Sequence, residues 1–278
     1  MKRGLRPLFH ELLECPAMGR FDGKVAWITG GGSGIGKALA LEFAREGAAV
    51  AVSGRRVERI EEVAQEIEAA GGRGLAVPCD VTEDGACAQA VDTIVRELGR
   101  LDVAVANAGF GVAGKVTELD VAAWKRQFDV NVFGLVATLQ AAVPALRETD
   151  GRVALLGSVM AMVTVPGNGP YAASKYAVRA IGQTLSMELH GTGMSCTLLH
   201  PGFVESEIGQ VDNQGRHHAD RKDPRPAKLM WPADKAAKSC VRAIHARKRE
   251  HVFTAHGKVA AFLGRHTPSL LHLAATRS

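Results

Sequence analysis

A glycine-rich turn between an apolar strand and a helix constrains the fold of this chain more than any other feature. The segment TGGGSGIG spans residues 29–36, follows the run KVAWIT and leads into GKALALEFAREG. In such a segment Gly30 permits the tight turn, Gly34 lets the backbone approach a ligand, and Gly36 lets the helix pack closely on the strand. Free N–H groups at the helix start attract anions. The segment therefore predicts a site for a dinucleotide pyrophosphate, and its strand–turn–helix setting disfavours the alternative of a loop without a ligand.

Short apolar runs alternate with helical segments along the rest of the chain. Apolar strands without polar alternation indicate a sheet that is buried on both faces. Strand and helix in strict turn indicate βαβ units with a parallel sheet. We therefore predict an α/β fold, a doubly wound parallel sheet of the Rossmann type in one domain, with about seven strands and helices on both faces. The predicted strands lie at residues 24–29, 48–54, 74–81, 101–109, 151–159, 194–202 and 250–255.

Three segments lie outside or interrupt this rhythm. We expect residues 1–19 to be an N-terminal arm or a non-native start, since Met18 offers a second initiation point. The main Rossmann-type domain is expected at 20–255, and within it residues 203–232 form a long irregular segment after a strand end, which is typical of an active-site lid. Residues 256–278 form an apolar tail, in which Thr267 is expected to cap a helix that begins at Pro268.

Composition limits the class and the compartment. The 278 residues are 46% apolar and 23% charged, as in soluble globular proteins. No uninterrupted apolar run reaches the roughly 18 residues of a membrane-spanning helix, and no signal-peptide core is present. The five cysteines are scattered, which indicates a reducing, cytoplasmic compartment without a disulfide framework. We expect no metal site, because the histidines of RHH at 216–218 lack convergent partners.

Charge is unevenly distributed along the chain. Residues 21–212 carry a net charge of −7, whereas residues 213–278 carry +10, within a total of +5. The basic part predicts an anionic partner, a membrane surface or merely a solvated rim. We expect no nucleic-acid partner.

Two short patterns point to chemistry. In GNGPYAASKYAV, Lys175 follows Tyr171 by four residues, which puts both side chains on one face of a helix. The second strand ends in SGRR, with Gly54 where NAD-preferring dinucleotide folds usually place an acid. The guanidinium groups of Arg55 and Arg56 suit a 2′-phosphate, which predicts NADP(H) over NAD(H). Solvated helix faces are the alternative in both cases.

Together these motifs resemble the short-chain dehydrogenase/reductase family over residues 20–255. Ser33 stands where NADP-using relatives often carry Lys or Arg, so the NADP(H) prediction rests on Arg55 and Arg56. The resemblance implies that the cofactor is bound by residues of TGGGSGIG, SGRR, CDVT, NAG, YAASK and HPGFVES, namely Gly30, Ser33, Gly34, Ile35, Gly36, Arg55, Arg56, Asp80, Val81, Asn107, Gly109, Tyr171, Lys175, Pro201, Gly202, Val204 and Ser206.

The resemblance also implies the catalytic group Asn131, Ser158, Tyr171 and Lys175. Tyrosine has an ordinary pKa near 10, and a neighbouring ammonium and the oxidised nicotinamide ring are expected to lower it. Tyr171 then acts as general acid or base, Ser158 holds the substrate oxygen, Lys175 binds the nicotinamide ribose, and Asn131 holds a water of a proton relay.

The sequence therefore predicts an oxidoreductase that transfers a hydride between NADP(H) and a small carbonyl or alcohol substrate. The apolar residues after Ser158 favour a hydrophobic ketone or secondary alcohol, contacted by Ser158, Met160 and Tyr171. A non-catalytic nucleotide-binding scaffold or redox sensor is the alternative. We expect a homodimer or homotetramer, with the tail at a subunit or substrate-entrance interface; peripheral membrane contact through the tail is the other interpretation.

Overall fold

The computed structural model describes residues 19–277, so that Cys15, Met18 and nearly all of the expected N-terminal arm lie outside the described residues. Seven strands form one sheet in the order β3-β2-β1-β4-β5-β6-β7, and every neighbouring pair is parallel. The predicted α/β architecture is confirmed, including the seventh strand. The strands are β1 Val25–Thr29, β2 Ala49–Gly54, β3 Arg73–Pro78, β4 Val103–Ala106, β5 Arg152–Leu156, β6 Ser195–His200 and β7 Glu250–Val252.

Helices cover both faces of the sheet, and side chains of one strand alternate between the two layers. In β1, Ile28 packs in a core with α1, α2 and α7, whereas Trp27 packs in the opposite core with α3, α5 and α6. This double burial explains why the strands read as continuous apolar runs. The helices are α1 Gly34–Arg45, α2 Val57–Ala69, α3 Ala86–Leu98, α4 Val121–Phe128, α5 Gly134–Arg147, α6 Gly169–Glu188, α7 Ala233–His245, α8 Ala255–His266 and α9 Pro268–Arg277.

One helical run is apolar enough to resemble a membrane span. Helix α4, a π-helical turn at Asp129–Phe133 and helix α5 together form Val121–Arg147, with a mean hydropathy of 1.4 in its most apolar part. Its residues Leu135, Leu139 and Leu146 are buried in the core that α5 shares with α3 and α6. Part of the run is therefore buried within the domain, and this burial accounts for the apolar residues on that side.

The strand order reverses beside β1, which has β2 on one side and β4 on the other. In open α/β sheets, ligands bind at the carboxyl ends of the strands at such a switch point. The glycine-rich turn leaves β1 at this edge, and the segments after β4, β5 and β6 leave the sheet at the same edge. The topology thus brings residues from distant parts of the sequence to one crevice.

The lid and the tail pack against this edge. Between Phe203 and Pro232 the chain has only two short 3₁₀ turns, Glu207–Gln210 and Ala227–Leu229, as the irregular sequence predicts. Helix α8 begins after Thr254, whose hydroxyl accepts a hydrogen bond from the Gly257 amide. Helix α9 begins at Pro268, as predicted from the sequence. The Thr267 hydroxyl, expected to cap this helix, donates instead to the Leu263 carbonyl oxygen of α8 (3.1 Å).

Candidate functional site

A narrow cleft of about 80 Å³ lies at the carboxyl ends of the strands. Ten of the sequence-predicted site residues line it: Ile35, Asn107, Gly109, Ser158, Tyr171, Lys175, Pro201, Gly202, Val204 and Ser206. Five further lining residues were not predicted: Phe110, Leu156, Gly157, Ile208 and Arg225. Residues up to 190 positions apart in sequence (Ile35 to Arg225) therefore share one surface, because the parallel strands end at the same edge.

The glycine turn forms a tight cradle at one end of the cleft. Gly30 and Gly34 have φ values of +64° and +52°, in the left-handed region that favours glycine. A methyl group at Gly36 would overlap the carbonyl oxygen of Gly30. The Asn107 amide fixes this turn by donating to the carbonyl oxygens of Thr29 (2.8 Å) and Gly30 (3.0 Å). A backbone cradle at the start of α1, free of side-chain bulk, fits a pyrophosphate.

The two predicted phosphate-binding arginines point to different places. Arg56 Nη2 contacts Ser33 Oγ (3.1 Å) and Glu207 Oε2 (2.8 Å) beside the glycine turn. Arg55 instead lines a larger cavity of about 750 Å³ with Val81. Their side chains therefore do not form one joint site in this conformation, and Arg56 is the one that touches the turn.

Asp80 is engaged by its own neighbours. Its Oδ1 accepts hydrogen bonds from the Thr82 amide (3.0 Å) and hydroxyl (2.7 Å). This turn carries the chain from β3 towards α3 and leaves Val81 against Gly134 of helix α5. The carboxylate of Asp80 thus shapes the wall of the larger cavity.

Three predicted catalytic side chains meet in the cleft. Tyr171 and Lys175 lie in the first turns of α6, and the Lys175 Nζ is 5.7 Å from the centroid of the Tyr171 ring. Ser158 lies beside Tyr171 and acts to lower its pKa, and the Ser158 hydroxyl accepts a hydrogen bond from the Met160 amide (3.1 Å). Lys175 Nζ donates to the carbonyl oxygen of Leu156 (2.7 Å) at the end of β5. A phenol, a hydroxyl and an amine thus face one space.

The electrostatics of this group differ from the prediction in one respect. Burial raises the pKa of Tyr171 because it disfavours the phenolate, and this effect outweighs the hydrogen bond with Ser158 and the charge of Arg225. Burial also lowers the pKa of Lys175 to about 8. The expected lowering of the Tyr171 pKa by Lys175 is therefore absent in the protein alone. A group with a raised phenol pKa suits proton donation.

Asn131 lies in the π-helical turn between α4 and α5, and its side chain bridges two segments. Its Oδ1 accepts from the Phe110 amide (3.0 Å), and its Nδ2 donates to the Phe110 carbonyl (3.0 Å) and to Ser174 Oγ (3.2 Å). π-helical turns occur often at functional sites. Asn131 therefore ties the loop after β4 to the residue next to Lys175.

A buried histidine that the sequence analysis missed, His200, contacts the backbone of Ser158. His200 Nδ1 contacts the Ser158 carbonyl oxygen (3.0 Å), and its Nε2 lies 3.1 Å from Glu250 Oε1. Glu250 also accepts from Arg179 (2.8 Å) and from Arg265 of α8 (2.7 Å). The network links the tail to the segment that carries Ser158.

This network predicts a specific acid sensitivity of folding. Hydrogen bonding from His200, helped by Arg179, lowers the pKa of Glu250 to about 2. A folded-state pKa below the unfolded value contributes stability above about pH 4.5, and that contribution disappears as the pH falls towards 2. We expect Glu250→Gln to lose about 1–3 kcal/mol of unfolding free energy at pH 7. Its unfolding free energy is expected to fall less steeply than that of wild type as the pH is lowered from 4.5 towards 2.

The measurement is urea unfolding of both proteins between pH 7 and the acid limit of folding. Glu118→Gln is the control, because Glu118 forms an exposed ion pair with Lys115 on the surface. The control is expected to keep the wild-type slope. An identical slope in Glu250→Gln and wild type would contradict the role of Glu250.

The predicted substrate contact Met160 is half-buried in the 3₁₀ turn after Ser158 and does not line the narrow cleft. Nearby, Met162 is buried, and a methyl group at Gly264 of α8 would overlap its carbonyl oxygen. Val165 is exposed. Trp231 packs near Phe253, with ring centroids 6.1 Å apart, so its role is in packing.

Two charged lid residues reach the cleft, and the sequence analysis missed both. Arg225 donates to the carbonyl oxygens of Val204 (2.9 Å) and Ser206 (2.8 Å), and Glu207 bonds to Arg56. Their sequence signal is weak, since a charge in an irregular polar segment ordinarily faces solvent. Among the described residues, no group of three or more His, Cys, Asp or Glu side chains is placed to hold a metal ion.

Comparison with known proteins agrees with this geometry. A family model described as short chain dehydrogenase matches residues 24–217. The 11-beta-hydroxysteroid dehydrogenase 1A of Arabidopsis thaliana is 38% identical over 190 residues, which are 68% of this chain and 54% of that relative. The chain covers less than two thirds of some other curated relatives as well.

Two solved structures share the fold over nearly their whole length. A short chain dehydrogenase from Burkholderia cenocepacia J2315 in complex with NADP is 33% identical, with a TM-score of 0.73, covering 83% of this chain and 96% of that chain. A short chain dehydrogenase/reductase from Burkholderia phymatum in complex with NAD is 26% identical, with a TM-score of 0.79, covering 92% and 97%. These neighbours support a nicotinamide cofactor in the cleft and leave its type open.

Proposed function

This chain belongs to the short chain dehydrogenase family, and from that membership we propose that it is an oxidoreductase that transfers a hydride between NADP(H) and a hydrophobic ketone or secondary alcohol. The observation that carries the proposal is the meeting of Ser158, Tyr171 and Lys175 in one cleft beside the glycine cradle. A non-catalytic scaffold would have no need of this buried polar group, since unpaired polar groups are costly to bury.

The chain's own residues supply proton transfer and orientation. The Tyr171 hydroxyl donates a proton to the substrate oxygen in reduction and its conjugate base removes the proton in oxidation. The Ser158 hydroxyl holds the same oxygen and stabilises developing negative charge. Lys175 orients the cofactor ribose, and Asn131 holds the loop beside it. The nicotinamide supplies or accepts the hydride when bound.

The remaining predicted residues hold the cofactor. Gly30, Gly34 and Gly36 with the start of α1 take the pyrophosphate, and Asn107 keeps the turn in shape. Asp80 and Val81 form the adenine side. The other residues proposed to contact the cofactor are Ser33, Ile35, Gly109, Pro201, Gly202, Val204 and Ser206.

A preference for NADP(H) is proposed from Arg56 and from Gly54, the last residue of β2, which stands where NAD-preferring dinucleotide folds usually place an acid. We expect Arg56→Ala to weaken NADP(H) binding about ten- to hundredfold and to leave NAD(H) binding nearly unchanged, because a charge-assisted contact contributes about 1.5–3 kcal/mol. Dissociation constants for both cofactors, measured by titration, test this. Arg55→Ala is the matched variant, since Arg55 faces the larger cavity. Equal wild-type affinities for the two cofactors would refute the preference.

The substrate class is proposed to be apolar, since Phe110 and Ile208 line the cleft and α8 packs against the segment after Ser158. The 11-beta-hydroxysteroid dehydrogenase among the relatives is consistent with a bulky ketone or alcohol. The direct test is a screen of ketones and secondary alcohols with both cofactors, followed by nicotinamide absorbance. No turnover of any carbonyl by purified, cofactor-binding protein would favour the scaffold instead.

We propose that the tail lies at a subunit interface or at the substrate entrance. His256 of α8 accepts a hydrogen bond from the Phe203 amide (2.9 Å), so α8 touches the start of the lid. The outward side chains Val259, Phe262 and Leu270 are exposed. They offer apolar surface to a second subunit or to a membrane, the alternative interpretation of this basic region.

Truncation after Ala255 is expected to raise the Michaelis constant several-fold or to change the oligomeric state, while cofactor affinity stays the same. Truncation after Thr267 is the control, because it removes α9 and keeps the contacts of α8. Steady-state kinetics and size-exclusion chromatography provide the readout. Unchanged size and kinetics, together with full-length protein that sediments with anionic vesicles, would favour membrane contact.

A homodimer or homotetramer is proposed from one face of α6. Tyr176 and Met187 are exposed and eleven residues apart, which places them on the same side of the helix. Tyr176 is 42% exposed. Exposed apolar stripes of this kind are typical of subunit contacts. A cytoplasmic location stays a prediction of the sequence.

A further inference from the structure

A carboxylate of the lid lies on the groups that we assign to the cofactor's 2′-phosphate. Glu207 begins a 3₁₀ turn directly after the HPGFVES segment. Its Oε2 accepts a hydrogen bond from Arg56 Nη2 (2.8 Å), and the same nitrogen lies 3.1 Å from Ser33 Oγ. Glu207 thus connects the lid with the glycine turn and with Arg56, which follows the end of β2 and lies 151 residues earlier in the sequence.

The surroundings of Glu207 are those of an anion site. Ser33 is the N-terminal cap of α1 and makes no side-chain capping bond, and no acidic residue occupies the first turn of that helix. The helix start therefore has unmatched positive character. Burial raises the pKa of Glu207, but hydrogen bonds from Arg56 and Ser33 lower it by more, so that the pKa lies below its ordinary value. The carboxylate is therefore charged at neutral pH.

The lid presents Glu207 in a fixed position. Arg225 donates to the carbonyl oxygens of Val204 and Ser206 and pairs with Asp223, and it thereby holds the segment directly before Glu207. Ser206 lies directly on the turn, since a methyl group at Gly34 would come within 2.9 Å of its Cβ. The contact between Glu207 and Arg56 is therefore part of an ordered arrangement at the cleft.

We propose that Glu207 is a specificity-determining residue, an internal anion that competes with the 2′-phosphate of the cofactor for Arg56 and Ser33. This inference rests on the proposed use of NADP(H). A ligand that carries a 2′-phosphate takes Arg56 from Glu207 and separates this part of the lid from the glycine turn. A ligand without that phosphate leaves the ion pair intact. The ion pair lowers the apparent affinity for 2′-phosphorylated ligands, because only the fraction of molecules with Arg56 free is competent to bind.

The test uses two nucleotides without a nicotinamide ring, so that it is independent of turnover. We expect Glu207→Gln to bind 2′,5′-ADP about two- to tenfold more tightly than wild type, since an exposed ion pair and a like charge are both removed. Binding of 5′-AMP is expected to stay the same. Glu205→Gln is the matched control, because Glu205 is exposed, lies two residues away and carries the same charge. It is expected to leave both affinities unchanged.

Each outcome decides between the two proposals. An unchanged or weaker affinity of Glu207→Gln for 2′,5′-ADP, or an equal gain for both nucleotides, would overturn the role of Glu207. Arg56→Ala tests the underlying preference separately. The proposed NADP(H) preference fails if wild type binds 2′,5′-ADP no more tightly than 5′-AMP and Arg56→Ala does not change either affinity. The competition with Glu207 then has no basis.

Discussion

Tyr171→Phe is expected to reduce turnover by about 10²- to 10⁴-fold while cofactor affinity changes little. The variant removes one oxygen, and with it the only proposed proton donor to the substrate. The remaining ring keeps its place in α6, because the Lys175 Nζ near the ring donates to the Leu156 carbonyl and needs no contact with the phenol oxygen. The loss should therefore fall on kcat and leave the fold intact.

Tyr176→Phe provides a matched control on the same helix. It removes the same atom from an exposed side chain, and its kcat is expected to equal that of wild type. Stopped-flow or steady-state rates with any substrate from the carbonyl screen give kcat, and NADPH fluorescence gives the dissociation constant. Retention of more than about a tenth of the wild-type rate by Tyr171→Phe would remove Tyr171 from its proposed role.

Gly36→Ala is expected to weaken cofactor binding by at least about tenfold and to destabilise the fold by about 1–3 kcal/mol. The added methyl group would overlap the Gly30 carbonyl oxygen and would also approach the side-chain nitrogen Nδ2 of Asn107. Backbone cannot move aside as a flexible side chain can. The glycine turn would have to open, and the free N–H groups at the start of α1 would lose their alignment towards the pyrophosphate.

Gly32→Ala is the matched control, because it makes the same substitution in the same turn at a position with more space. Its methyl group would come no closer than 3.1 Å to another atom, the Arg59 Cβ, so that a shift of a few tenths of an ångström relieves the contact, and Gly32 does not have a positive φ. We expect a small effect on the dissociation constant for NADPH and on urea unfolding. Equal behaviour of the two variants would show that close packing at Gly36 does not shape the site.

Local signals in the sequence determined the architecture and most of the cleft. The buried strands have continuous apolar runs because both faces of the sheet are covered, and this pattern is visible without tertiary information. The turn at 29–36 needs glycine for steric reasons within a few residues. Spacing along one helix placed Tyr171 and Lys175 on the same face. Since parallel strands end at one edge, the segments that follow them could also be expected to converge.

Only the tertiary structure decided the contacts between segments that are distant in sequence. Arg55 and Arg56 are neighbours in the chain, yet they point to different places: Arg56 contacts the lid residue Glu207, whereas Arg55 lines the larger cavity together with Val81. The same holds for His200, whose link from Ser158 to Glu250 depends on the pairing of β6 with β7.

The electrostatics of the catalytic group likewise depend on burial, which a sequence does not state. Proximity of Lys175 predicted a lower pKa for Tyr171, but loss of solvent around the phenol raises it in the protein alone. The sequence by itself thus determined the fold class and the chemical groups, because these follow from local periodicity and steric need. The structure decided partners and protonation, because both depend on which side chains the folded chain brings together and shields from water.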